Sequence, residues 1–243
     1  MLDCWLVFTP MTPGLKLSSA MGPSTPEEVE EMKCTPYLNA VRALNYLAIT
    51  TCPDIAYAVR CLARFNSNPG LVHWIAMKHL LHYLKGTIDL TLTFTPNQLI
   101  MLFQTWTNAD HGGNPDNGWS TLGFVTKIGT GAVSWASKIQ SIVTLSTTKA
   151  EFVASVLAGT EIVWLQNLLS ELGSEVEEPS HLFINNQSAL LVAKNPEHHG
   201  RMKHLDLWYF WLREKVAHKV IQVGYEPTNS MPADLLSKAL STS

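Results

Sequence analysis

With 243 residues and 46% hydrophobic side chains, the chain can form one large domain or two small ones and fill a real core, so a soluble globular protein is expected. Its formal net charge of -3 excludes the overall basic excess that marks many nucleic-acid binders, and any such role must come from local patches. The apolar run at Trp5–Phe8 follows an acidic residue and is soon interrupted by Pro10 and Pro13, which fits neither a signal peptide nor a membrane span of roughly 20 apolar residues.

Residues 1–35 carry Pro10, Pro13, Pro23 and Pro26 and then Glu27, Glu28, Glu30 and Glu31, with no sustained period, and are expected to be an extended or poorly ordered lead-in. Three helices follow. Tyr37, Leu38, Val41, Leu44, Leu47 and Ala48 recur at helical spacing. Pro53 is suited to the first position of a second helix bearing Ile55, Val59 and Leu62. A third runs from Leu71 to Lys85 and Gly86, a basic residue and glycine that give a normal helix stop. Cys4, Cys34, Cys52 and Cys61 lack zinc spacing and read as reduced thiols of an intracellular protein, cytoplasmic or nuclear.

Beyond Thr87 the pattern changes to strands. Leu90, Leu92 and Phe94 alternate, Pro96-Asn97 turns the chain, and a run from Leu99 to Asn108 follows. Gly123–Thr126 and Ala132–Ser137 flank the turn Gly129-Thr130-Gly131. The longest helix places Ala150, Val153, Leu157, Trp164, Leu168 and Leu172 on one stripe, expected to be core, with Ser146 or Thr147 as cap and Gly173 as stop. A strand at His181–Ile184, helices at Gln187–Lys194 and Leu205–Ala217, a strand at Val220–Tyr225 and a terminal helix at Pro232–Leu240 complete the order. Strands, long helix, strand, helices, strand and helix predict an α/β fold, a mixed sheet flanked by helices.

Seven ordered blocks carry a specific resemblance: Thr107–Asp110, Ser120–Phe124, Val133–Ser141, Leu145–Phe152, Asn185–Ala189, Lys203–Asp206 and Ala233–Lys238. Together they resemble the ribonuclease H domain of copia-type retrotransposon Pol polyproteins. Upstream, Tyr46-Leu47, Thr51–Ala56, Asn68–Gly70 with Trp74, and His82–Thr87 are similar to the stretch that joins reverse transcriptase to ribonuclease H in that family. The resemblance runs from about residue 9 to 240 and implies, after the lead-in (1–35), a helical connection region (36–88) and a ribonuclease H-like domain with a five-stranded mixed sheet (89–243). The aspartate pair of a reverse transcriptase palm has no counterpart, so polymerase activity is not expected.

The family's four acidic ligands fall on Asn108, Glu151, Asn185 and Asp234. Such an enzyme cuts the RNA strand of an RNA-DNA hybrid with Mg2+, a hard cation that takes clustered oxygen ligands. Two of the four positions are amides, so Glu151 and Asp234 remain as metal ligands, and inactive or weak catalysis with weakened or absent magnesium binding is expected. Asp110 lies on the same strand face as Asn108 but roughly 6.6 Å further along. Glu161 lies roughly 15 Å along the helix from Glu151. Neither reaches the site.

His204 fits the family's Lys-His-x-Asp block, where the resemblance implies help in product release or substrate positioning; its alternative is a surface histidine beside a first-turn acid. His198 and His199, like His79 and His82, read as solvated rather than metal-binding. Lys194, Arg201, Lys203, Arg213, Lys215 and Lys219, interleaved with Trp208, Tyr209 and Trp211, form the most basic stretch; Arg201, Lys203, Arg213 and Lys215 are candidate phosphate contacts and the aromatics candidate core. The expected partners are RNA-DNA hybrid or another nucleic acid and an upstream reverse transcriptase portion. Two other readings stay open: a non-catalytic nucleic-acid or protein-binding module, and a decayed element with no selected role.

Overall fold

The computed structural model describes residues 5–95, 103–174, 176, 178–194 and 206–240. Two compact units are present, one of Met1–Thr91 with Gly112–Gly118 and Lys238–Ser243, the other of Leu92–His111 with Trp119–Ser237.

The first unit is helical, with α1 (Pro26–Lys33), α2 (Tyr37–Thr50), α3 (Ala56–Ala63) and α4 (Leu71–Gly86). Its core joins Tyr37, Val41 and Leu44 of α2 to Val59 and Leu62 of α3 and Met77 and Leu80 of α4. The Tyr37 hydroxyl donates to the Leu62 carbonyl at 2.9 Å, so the one polar atom of that buried ring is satisfied. Pro53 opens a 3-10 turn, Pro53–Ile55, that leads into α3.

The lead-in departs from expectation. Met11 and Leu17 are buried in this core, and α1 is a regular helix. Thr25 accepts from the Glu28 amide while the Glu28 side chain returns to the Thr25 amide, with Pro26 at the first helical position. Only Met32 of α1 is buried, so the helix has no apolar stripe for periodicity to detect.

The second unit is built on β1 (Phe103–Ala109), β2 (Thr121–Ile128), β3 (Gly131–Ile139), β4 (Ser180–Ile184) and β5 (Ile221–Tyr225), ordered β3-β2-β1-β4-β5. The first three are antiparallel, and β1, β4 and β5 are parallel. Helix α5 (Thr147–Glu171) is capped by the Ser146 hydroxyl, which accepts from the Lys149 amide. It packs with α6 (Gln187–Lys194) and α7 (Asp206–Ala217) around a core of Leu122, Phe124, Phe152, Ile162, Leu182 and Ile221. By length and composition α5 could cross a bilayer, but half of its most apolar window is buried in this unit.

Three segments differ from the pattern that their sequence suggests. The alternation at Leu90–Phe94 forms no strand; Thr95 donates its amide to the Thr130 hydroxyl at 3.1 Å, and the Phe94 ring fills the space beside Gly131 where a β-carbon would stand. Leu99–Leu102 and the Pro96-Asn97 turn lie outside the described residues.

On α5 the apolar stripe is core only at its start. Residues 149–156 are all buried, so spacing selects no face there, whereas further along the buried positions are Ala158, Gly159, Ile162 and Leu165. Trp164, Leu168 and Leu172 are 56%, 36% and 70% exposed. Finally, the terminal helix is a 3-10 turn, Pro232–Leu236, closed where the Ser237 amide donates to the Asp234 carbonyl at 3.1 Å.

Candidate active site

Parallel pairing of β1 with β4 sets Thr107 against Ile184, so the next residues, Asn108 and Asn185, leave that pairing side by side. Asn185 Nδ2 donates to Asn108 Oδ1 at 2.8 Å. Helix α5 begins close to the same strand end, and Glu151 Oε2 accepts from the Ala109 amide at 3.2 Å. The turn Pro232–Leu236 lies on β1 and β2, bringing Asp234 to this end of the sheet. Asn108 Nδ2 donates to Ser237 Oγ, and Ser237 Oγ donates to the Asp234 carbonyl at 3.1 Å. Four positions from distant parts of the chain thus meet at one end of the sheet, with Asn108, Glu151 and Asp234 3%, 5% and 6% exposed.

Asp110 and Glu161 are committed elsewhere. Asp110 Oδ1 accepts from the Thr121 amide, which closes the β1–β2 ladder. Glu161 Oε1 accepts from the Ser134 hydroxyl at 2.6 Å. Among the described residues, no group of three or more His, Cys, Asp or Glu side chains is placed to hold a metal ion.

Arg201, Lys203 and His204 lie outside the described residues, as do His198 and His199. Arg213 donates Nε to the Val192 carbonyl at 2.9 Å. Lys215 lies 6.0 Å from the Trp211 ring centroid and 3.7 Å from Glu214. A cavity of about 550 Å³ between the sheet and α5 is lined by Leu122, Ile139, Val156, Leu157 and Trp211, among others, and by none of the four site positions.

Two residues of the site escaped the sequence reading, Ser237 and Gly123. Both stand inside recognised blocks, yet a serine after two leucines or a glycine in a strand carries no chemical signal until the C-terminal turn is seen lying on β2.

A mixed sheet in the order β3-β2-β1-β4-β5, with Asn108, Glu151, Asn185 and Asp234 gathered at one end, defines a ribonuclease H-like domain. No protein-family model matches the chain. It is 42% identical over 234 residues to the "Retrovirus-related Pol polyprotein from transposon TNT 1-94" of Nicotiana tabacum, covering 96% of this chain and 17% of that one. It is 34% identical over 241 residues to the corresponding protein of transposon RE2 of Arabidopsis thaliana, covering 99% and 16%. Among solved structures, LC11-RNase H1 in complex with RNA/DNA hybrid aligns at 17% identity with a TM-score of 0.43, over 56% of this chain and 93% of that one.

The chain belongs to the retrovirus-related Pol polyproteins of copia-type retrotransposons, of which it is the ribonuclease H-like part with the region before it. It spans about a sixth of the length of these relatives.

Proposed function

We propose that this chain recognises RNA-DNA hybrid without cutting it, and that in a longer Pol chain its helical unit adjoins a reverse transcriptase portion. The family supplies the substrate class. The observation that carries the loss of cleavage is the hydrogen bond from Asn185 to Asn108.

A two-metal hydrolase needs anionic oxygens that converge on, and bridge, two divalent cations. In this chain Asn108 Oδ1 is occupied as the acceptor of a hydrogen bond from Asn185 Nδ2. The other amide nitrogen, on Asn108, donates to Ser237. Glu151 and Asp234 alone leave two divalent charges largely uncompensated in a buried setting, where Coulomb terms are large. The residues present do not fit the two-magnesium centre of the family. The hybrid-binding contacts assigned to Arg201 and Lys203, and the positioning role of His204, belong to the same reading.

The test is a cleavage assay on RNA-DNA hybrid in magnesium or manganese, with the unmodified chain beside the double variant Asn108→Asp, Asn185→Asp, and with hybrid affinity measured for both. Binding without cleavage by the unmodified chain, and cleavage by the variant, are expected. Cleavage by the unmodified chain sinks the proposal. A restored variant that cuts while the unmodified chain neither cuts nor binds favours decay of the element.

A further inference from the structure

The amides at positions 108 and 185 do more than withhold charge from a metal. Asn185 Nδ2 donates to Asn108 Oδ1 at 2.8 Å, Asn108 Nδ2 donates to Ser237 Oγ, and Ser237 Oγ donates to the Asp234 carbonyl at 3.1 Å. Three consecutive hydrogen bonds therefore run in one direction, from the end of β4, across the end of β1, into the turn that carries Asp234. Asn108 is 3% exposed and Ser237 0%, so water does not compete for these groups.

The direction of the chain is set by proton count. A serine hydroxyl has one hydrogen, and Ser237 gives it to the Asp234 carbonyl; its oxygen can then only accept. Position 108 must therefore present a donor on that side. Its other terminal atom faces the donor of position 185 and must accept. An amide meets both demands at once, and an ionised carboxylate, which only accepts, cannot. At position 185 a carboxylate would set oxygen against oxygen. The same four positions filled with carboxylates would hold no donor, and their mutual repulsion would need cations or protons to offset it.

We propose that Asn108, Asn185 and Ser237 form a metal-independent clasp that fixes the C-terminal turn to the sheet. The pair of amides supplies from within the protein the cohesion that an all-carboxylate site obtains from bound cations. This inference deepens the reading that the site holds no metal, and it does not depend on hybrid binding. Its consequence is thermodynamic: a fold whose native state binds a cation is stabilised in proportion to that cation, whereas a self-satisfied site is indifferent to it.

The test is thermal unfolding of the full chain in EDTA and in excess magnesium, for the unmodified protein, Ser237→Ala and the double variant Asn108→Asp, Asn185→Asp. The unmodified chain is expected to melt at the same temperature in both conditions. Ser237→Ala strands the Asn108 donor and should lower the midpoint by about 3 °C, equally with and without magnesium. The double variant should melt at least about 5 °C below the unmodified chain in EDTA and recover in magnesium. Amide exchange at Asp234 and Ser237, whose N–H groups bond to Met231 and Asp234, localises the effect to the turn.

A midpoint of the unmodified chain that rises with magnesium overturns the clasp. So does a double variant as stable as the unmodified chain in EDTA. Should that variant not fold, the magnesium response of the unmodified chain and the loss in Ser237→Ala still decide. A metal-indifferent midpoint in a chain that does not bind hybrid removes the proposed hybrid recognition and leaves the clasp; a magnesium-stabilised chain that binds hybrid removes the clasp and the metal-free reading of the site and leaves hybrid recognition alone.

Discussion

Gly123 lies directly beneath Leu236: a β-carbon on the glycine would stand 2.5 Å from the leucine Cβ, 2.9 Å from its carbonyl carbon and 3.1 Å from the Ala233 carbonyl oxygen. Asp234 sits between those two neighbours, so its place depends on a strand position that carries no side chain.

Gly123→Ala is therefore expected to destabilise the second unit by about 1–3 kcal/mol through overpacking, because the opposing atoms include rigid backbone. Urea unfolding measures the loss, and amide exchange at Asp234 should accelerate more than exchange in the centre of β1. An alanine variant with unchanged stability would show that the turn does not rest on β2.

Two neighbours on α5 separate the face that packs from the face that does not. Ile162 is 0% exposed within the core, and Trp164 is 56% exposed. Ile162→Ala should cost about 2–5 kcal/mol by leaving a cavity. Trp164→Ser, the chemically larger change, should fall within about 0.5 kcal/mol of zero. Equal losses for the two would return Trp164 to the core.

That pair also shows what a sequence can reveal. Spacing alone makes the helix legible, and Trp164 stands on the same helical stripe as Ala150; the packing of the sheet and of α6 and α7 decides where such a stripe ceases to be covered. The α1 helix lay hidden for the opposite reason, since it buries only Met32 and announces itself through Thr25, Pro26 and Glu28 instead. Leu90–Phe94 had the alternation of a strand, but alternation does not provide a partner strand. The four site positions were legible only jointly, as members of ordered blocks, because each one alone is an ordinary polar residue. The direction of the hydrogen bonds between them needed coordinates, since it turns on which atom of an amide faces which neighbour.

His73 makes the first unit sensitive to acid. The ring is 0% exposed and stacked on Phe65 with centroids 3.9 Å apart. Its Nδ1 accepts from the Gly70 amide at 2.9 Å, which leaves Nε2 to donate to the Ser18 carbonyl at 3.2 Å. Those roles require the neutral imidazole. Burial lowers its pKa below the ordinary value of 6.5; the Ser18 carbonyl and the Asp116 charge oppose this, while Arg64 reinforces it. Between the folded value and about 6.5 the unfolded chain binds the proton and the folded chain does not, so stability is complete above about pH 6.5 and declines as pH falls from there. Urea midpoints of the unmodified chain should decrease through that window, and those of His73→Gln should vary less. Parallel profiles would assign the acid sensitivity to other groups.

Arg213 closes the end of a neighbouring helix. Helix α6 ends at Lys194, and Val192 is among its last four carbonyls, which have no partner within the helix. Arg213 Nε donates to that carbonyl at 2.9 Å, joining α7 to α6 through a charged donor. A bond of this kind contributes about 1.5–3 kcal/mol, so Arg213→Ala should lower stability by that order. Its effect on hybrid binding should be small once the protein is folded, and the dependence of affinity on salt should keep its slope. Lys203→Ala, by contrast, removes a candidate phosphate contact and should reduce the slope of log affinity against log salt by about 0.7–0.9. A lower salt slope in Arg213→Ala, with stability unchanged, would make the guanidinium a phosphate contact instead of a helix closure.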